Sequence, residues 1–234
     1  MIHAFRLTML LGVFLAFPAY ADPAYLTAAG QGVVNAVPDA VIINTGVFSS
    51  AKTAREALAA NSQAMTRVFD TLHKLGIADR AIRTTNLNLS PQYGATAANT
   101  IVFPQDRPVT GYRVSNTVNV TLDDIRKAGQ VLDALVAAGA NEAGGLSYIF
   151  RNDQGLLSQA RTEAVKNAFE RAKTYASAAG VTLGAIHSIS DTGAILPAPF
   201  MGLAAPAFAP APPPPFGVGE QALRANVTVS WEIK

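Results

Sequence analysis

Residues 111–150 read GYRVSNTVNVTLDDIRKAGQVLDALVAAGANEAGGLSYIF, and this stretch decides the fold class. Tyr112, Val114, Val118, Val120 and Leu122 share one parity, while Arg113, Ser115, Thr117, Asn119 and Thr121 share the other. A period of two marks a half-buried strand. Asp123 and Asp124 then put negative charge where a helix start presents unpaired N–H groups. Ile125, Ala128, Val131, Leu132, Leu135 and Val136 follow at helical spacing. Gly139 is expected to stop the helix, because a C-terminal cap often needs a positive φ that glycine adopts cheaply. Residues 146–150 form a second, short strand. The stretch reads strand, helix, strand, and it holds no catalytic constellation.

On the N-terminal side the same units recur. Residues 25–37 read as a first strand, with Gly30 and Gly32 in its middle. Pro38-Asp39 signals a turn. Val41, Ile43 and Val47 predict a second strand reaching Ser49 and Ser50. Thr53-Ala-Arg-Glu56 is a capping box. Behind it, Leu58, Met65, Val68, Leu72 and Leu75 make one helical stripe, with Phe69 beside it and Asn61 on it. Asn61 is read as a polar residue bonded to nearby backbone, since most buried polar side chains bond to backbone. Gly76 ends this helix. Residues 82–93 alternate again, and a polar, proline-bearing connection spans 94–108.

On the C-terminal side, Asp153-Gln-Gly155 turns into a third helix. Its apolar side is mostly alanine: Ala160, Ala164, Ala168, Ala172, Ala176 and Ala179, with Leu157, Val165 and Phe169. Small residues let that helix lie close to its support. Gly180 caps it, and residues 186–191 read as a strand. Residues 192–219 carry no charge and eight of the fourteen prolines. Proline denies this segment a helix or a central strand, so a long loop is expected, in part polyproline II. Its large apolar side chains include Phe200, Met201, Leu203, Phe208 and Phe216. Disorder, packing against a sister subunit and contact with membrane are the three readings of it. As a candidate self-association loop it rests on those five residues. The last strand alternates Ala225, Val227, Val229, Trp231 and Ile233 with Arg224, Asn226, Thr228, Ser230 and Glu232.

These elements predict an α+β, two-layer fold. Its βαββαβ (split-βαβ) core is extended by a third helix and further strands, with helices on one face of a mixed sheet. The uncovered face is then polar or covered by an assembly partner. The domain is expected to span residues 22–234 as a single unit. Residues 1–21 read as a signal peptide, with Arg6 near the start, an apolar run to Phe17 and Ala19-Tyr-Ala21 as a cleavage site. The apolar run is shorter than the roughly 20 residues that span a bilayer.

Composition narrows the function. Lys and Arg total 18 against 16 Asp and Glu, and Arg6 lies in the leader, so the mature chain is near neutral. No basic cluster interleaves with aromatics, so no nucleic-acid partner is expected. There is no cysteine, which removes thiol catalysis, cysteine zinc sites and disulfides. Gly30-Gln-Gly32 lacks the third glycine and the following helix of a dinucleotide loop, so structural glycines are expected. His73 and His187 have no His-x-x-x-His spacing and no partner motif, and no Gly-x-Ser-x-Gly elbow exists. Asp123 and Asp124 read as a cap before they read as a carboxylate pair. Arg80, Arg83, Arg107 and Arg113 are candidates for an anion site that their spacing does not establish. Asn88, Asn119 and Asn226 begin glycosylation triplets inside predicted strands.

Several ordered pieces together resemble a SIMPL domain. They are Gly30-x-Gly32, Asp39, Gly46-Val47, Thr53-Ala54-x-x-Ala57, Asn61, Met65 and Gly76-Ile77. Leu89-x-Pro91-x-Tyr93, Gly111-Tyr112-x-Val114-Ser115-Asn116, Val131-Leu132-Asp133, Ala138-Gly139-Ala140-Asn141 and Gly180-Val181-x-Leu183-Gly184 continue the set. The likeness is to the bacterial periplasmic immunogenic, outer-membrane-associated members. That resemblance implies an exported or envelope protein with no established catalytic residues and no cofactor. It also implies a link to oxidative-stress protection and, for some members, self-assembly. The expectation is a periplasmic, non-enzymatic, self-associating protein with a structural or indirectly protective role. The alternative is a small-ligand binding module, with a cleft between the sheet and the 94–108 connection near Tyr93 and Tyr112.

Overall fold

The computed structural model describes residues 24–94, 107–195 and 217–234. The expected leader at 1–21 and the apolar residues noted in the proline-rich segment, Phe200, Met201, Leu203, Phe208 and Phe216, lie outside the described residues. In chain order the elements are β1 (Tyr25–Ala36), β2 (Ala40–Ala51), α1 (Ala54–Lys74), β3 (Ile82–Tyr93), β4 (Val109–Leu122), α2 (Ala128–Ala138), β5 (Glu142–Ile149), α3 (Gln154–Ala179), β6 (Leu183–Ile195) and β7 (Gln221–Ile233).

The α+β class and the βαββαβ order hold, with β2-α1-β3-β4-α2-β5 as that unit. The single mixed sheet does not. The strands form two sheets, ordered β3-β4-β2-β5 and β1-β7-β6, and every pairing is antiparallel. Alternation reports which face a residue takes and is silent on which strand it pairs with. β7 returns from the far end of the chain to lie between β1 and β6. The two apolar clusters share no residue: one gathers around Ile43, Val68, Leu72, Val120 and Leu135, the other around Ala164, Ala168, Val229 and Trp231.

In the four-stranded half, Thr53 and Glu56 form the reciprocal capping box that starts α1. The buried stripe of α1 is Ala57, Asn61, Ala64, Met65, Val68 and Leu72. Leu58 and Leu75, expected on it, are 42% and 37% exposed. Ala57 takes the place assigned to Leu58, because the smaller side chain lets the helix settle on β2, where Ser49 donates to the Ala57 carbonyl. The second helix also starts late. Residues 125–127 form a 3-10 turn capped by Asp124, and the α-helix begins at Ala128. The three glycines after the helices, Gly76, Gly139 and Gly180, have φ of 76°, 112° and 70° as their position requires.

Asn61 is 1% exposed and donates from Nδ2 to the Val47 carbonyl at 2.7 Å, as expected of a backbone-bonded residue. Its Oδ1 has no partner. A charge at this spot would be buried without compensation. Asn61→Asp is therefore expected to destabilise by about 3 kcal/mol or more, and Asn61→Ala by only about 1–2 kcal/mol. Urea midpoints of the two variants decide it, and equal midpoints would contradict this account.

Asn141 extends the sheet just before β5 begins at Glu142. Its side-chain amide accepts from the Phe48 N–H at 2.6 Å and donates to the Phe48 carbonyl at 2.9 Å, standing in for a peptide of the missing strand.

The three-stranded half is built on close approach. A Cβ on Gly32 would lie 1.9 Å from the Ala160 carbonyl oxygen, and one on Gly30 would lie 2.0 Å from that of Ala164. Both glycines are structural: the alanine stripe of α3 rests directly on the β1 backbone. From the same helix, Asn167 accepts from the Gln31 N–H and Arg171 donates to the Ala29 carbonyl. Two edge groups of β1 that a foreign strand would use are thereby taken. The proline-rich connection begins later than expected, because Thr192–Ile195 belong to β6, which also starts earlier, at Leu183.

Candidate functional site

The helix-free face of the four-stranded sheet is polar, one of the two outcomes the sequence allowed. β2 and β4 pair Asn44 with Asn119, Gly46 with Thr117 and Phe48 with Ser115 on that face. Asn44 donates to Asn119 Oδ1 at 2.7 Å. Ser115 donates to Glu142 Oε2 at 2.6 Å across to β5. This bond orders the two side chains across the sheet.

The histidines stay apart. His73 Nε2 meets Asp79 Oδ1 at 2.7 Å on an exposed surface. His187 stacks on Tyr25 in the other half, with ring centroids 4.2 Å apart. Among the described residues no three His, Asp or Glu side chains gather as metal ligands would, and no helix is long and apolar enough to cross a membrane. The four arginines considered as an anion site are not brought together. Arg113 lies over the Phe48 ring at 5.0 Å, Arg83 pairs in register with Asn119, Arg107 precedes β4, and Arg80 lines a cleft elsewhere. Tyr93 is half-exposed at the end of β3, and Tyr112 pairs with Pro91 and Ala51. Residues 95–106, the wall of the expected ligand cleft, lie outside the described residues. Asn119 and Asn226 are held by Asn44 and Gln31 inside their sheets.

A polar cleft contains Arg80. Its volume is about 350 Å³, and it lies where α1 ends, between the Asp79–Ala81 turn and the start of α2. Asp123 and Asp124 line it, as do Lys127 and Arg151. Arg151 binds Asp123 at 2.7 Å, and Arg126 binds Asp124 at 2.9 Å. The Arg126 side chain, helped by its backbone N–H, holds the Asp124 carboxyl below the usual carboxylate range. On β6, the Gly193 N–H and then Arg161 lower the Asp191 carboxyl in the same way. Burial raises the Tyr148 phenol. Sequence reasoning missed the cleft because its residues come from four separated segments; Asp123, Asp124 and Arg80 were noted, but for other roles or with other partners.

The SIMPL family model, described as a protein of unknown function (DUF541), matches residues 26–231. The chain belongs to the SIMPL family. Its relatives include the 26 kDa periplasmic immunogenic protein of Brucella melitensis, 36% identical over 99% of this chain and 96% of that one. YggE of Edwardsiella ictaluri is 30% identical over 70% of this chain and 66% of its own length, and YggE of Escherichia coli is 28% identical over 72% and 65%. The SIMPL match spans both sheets, so the two halves described above are both family structure. None of these relatives is named as an enzyme.

Proposed function

We propose that this SIMPL protein is exported to the periplasm and acts there without catalysis, by assembling with copies of itself. The observation that carries the reading is a pair of apolar ledges, one on an edge strand of each sheet. On β3, Leu87 and Leu89 are 60% and 46% exposed, opposite Asn116 and Val114 on the helix side of the sheet. On β6, Ile186 and Ile189 are each 53% exposed, in register with the buried Trp231 and Val229. α3 lies over β1 and β7 and barely reaches β6, so it leaves these isoleucines bare.

A second copy is the occupant this pattern favours. One self-complementary patch gives a two-fold dimer, whereas two different patches on one chain allow head-to-tail contacts that close into a ring when the rotation permits. The names of the Brucella relatives support the periplasmic location. Association with the outer membrane and an envelope role in oxidative stress belong to the same reading. Any protection is indirect: there is no cysteine, and Met65 and Met201 are the only methionines beyond the leader, so side-chain scavenging is poor chemistry here.

The test compares the mature chain with an Ile186→Ser/Ile189→Ser variant and with a version whose residues 196–216 are replaced by a Gly/Ser linker. Size-exclusion with circular dichroism is expected to show the isoleucine variant folded but reduced to a smaller species. Loss of assembly only in the linker version would move the contact to the proline-rich segment. An unchanged size in both would remove the ledges and the segment from the account.

A further inference from the structure

We propose that the cleft at the C-terminal end of α1 binds a small organic anion. A carboxylate or phosphate head would sit between Arg80 and Lys127, and a short apolar tail would lie against Leu75, Ile77, Leu122 and Val131. This inference goes beyond the assembly reading and stands on different residues.

Three observations carry it. The first is size: about 350 Å³ falls within the range of small-ligand sites. The second is charge. The two carboxylates of the cleft already have cationic partners, Asp123 in Arg151 and Asp124 in Arg126. Arg80 and Lys127 have no carboxylate within ion-pair distance among the described residues. The cleft therefore offers two cations outside its ion pairs; the Lys127 charge acts on Asp124 at longer range, and Arg80 has no such neighbour among these pairs. Arg80 adds a planar fork that matches a carboxylate or phosphate.

The third is the floor. Leu122 and Val131 are 7% and 4% exposed, and Leu75 and Ile77 border them, so an apolar wall adjoins the charged rim. A helix C-terminus normally repels an anion. Here the last carbonyls of α1 are already engaged: Leu75 N–H donates to Thr71, Gly76 N–H to His73 and Ile77 N–H to Leu72. Their lone pairs are directed into the turn, which lessens the opposition to an anion in the cleft.

Calorimetric titration of the mature full-length chain tests the site with four probes: hexanoate, hexyl phosphate, inorganic phosphate and hexanol. Saturable one-to-one binding of hexanoate or hexyl phosphate is expected, and their ranking identifies the head group. Inorganic phosphate and hexanol are each expected to bind at least about tenfold more weakly, for want of the tail or of the charge. Arg80→Ala/Lys127→Ala is expected to weaken binding by about tenfold or more, and Arg80→Lys to restore part of it. Both residues are exposed, so the variants should unfold at the wild-type temperature, a control measured alongside. Equal binding of hexanol, or affinity unchanged in the double variant, would overturn the proposal. So would no saturable binding of either charged, tailed probe. A chain that proves monomeric would leave this result unaffected.

Discussion

A chain that stops at Gly219 is expected to lose the three-stranded half altogether. β7 is the middle strand of that sheet, so its removal breaks the ladders to both β1 and β6. It also removes five buried residues, Leu223, Ala225, Val227, Val229 and Trp231, the last four packed in one cluster with the alanines of α3. Burial of a large apolar side chain contributes about 1.5–3 kcal/mol, and four such side chains approach the roughly 5–15 kcal/mol that stabilises a whole domain. β1 is then left without a sheet partner and cannot support α3 by itself, and the alanine-rich side of α3 is too poor in apolar area to find another support. The cluster around Ile43, Leu72 and Leu135 contains no residue of β7. Hydrogen exchange should therefore show α3 amides unprotected and β2 and β4 amides still slow. Protected α3 amides in the truncated chain would contradict the topology.

Gly32→Val is expected to be the most damaging single substitution. The new Cβ would meet the Ala160 carbonyl at 1.9 Å and the Ala164 backbone nitrogen at 2.5 Å. These are helix backbone atoms, so no rotamer change relieves the clash and α3 must lift. Lifting breaks the packing of Ala160, Ala164 and Ala168 on β1, together with the Asn167 and Arg171 bonds to its edge. Overpacking normally costs about 1–3 kcal/mol, and a backbone clash in a closely packed layer lies above that, at about 3–5 kcal/mol. Ala29→Val, three positions earlier and exposed on the opposite face, is the control and should change stability by no more than about 0.5 kcal/mol. Similar urea midpoints for the two variants would show that α3 does not rest on the glycines.

Much of this fold was legible because its signals are local. The capping box at Thr53, the glycine helix ends and the parity of β4 each need only a few neighbouring residues, and each appears in the structure as read. What depended on distant partners was not legible. Gly30-x-Gly32 and the alanine stripe of α3 were both noted as small, yet nothing in either segment says that they meet. The division into two sheets is of the same kind, since a strand's alternation looks identical whichever neighbour it takes. The placement of Leu58 failed for a subtler reason. Ala57 and Leu58 are both plausible on an apolar stripe, and the choice was made by the space above β2 rather than by hydropathy. Asn141 was legible as a family signature residue, but its role as a substitute peptide beside Phe48 required the sheet.

The candidate sites divide along the same line. The helix-free polar face followed from the odd parity of β4, because Ser115, Thr117 and Asn119 had to point somewhere together. The cleft did not follow, because Arg80, Asp123, Lys127 and Arg151 converge only once α1 and β5 have ended beside one another. The ledges on β3 and β6 were hidden for the opposite reason. Leu87, Leu89, Ile186 and Ile189 look like ordinary core residues of strands, and among the described residues no helix covers them.

The measurement that bears most directly on the assembly reading is the mass of the intact mature chain in solution, by light scattering across a dilution series. The account predicts a defined multiple of the protomer mass that persists on dilution. A single protomer mass at every concentration would contradict it, and would leave the ledges on β3 and β6 as surfaces for a different partner.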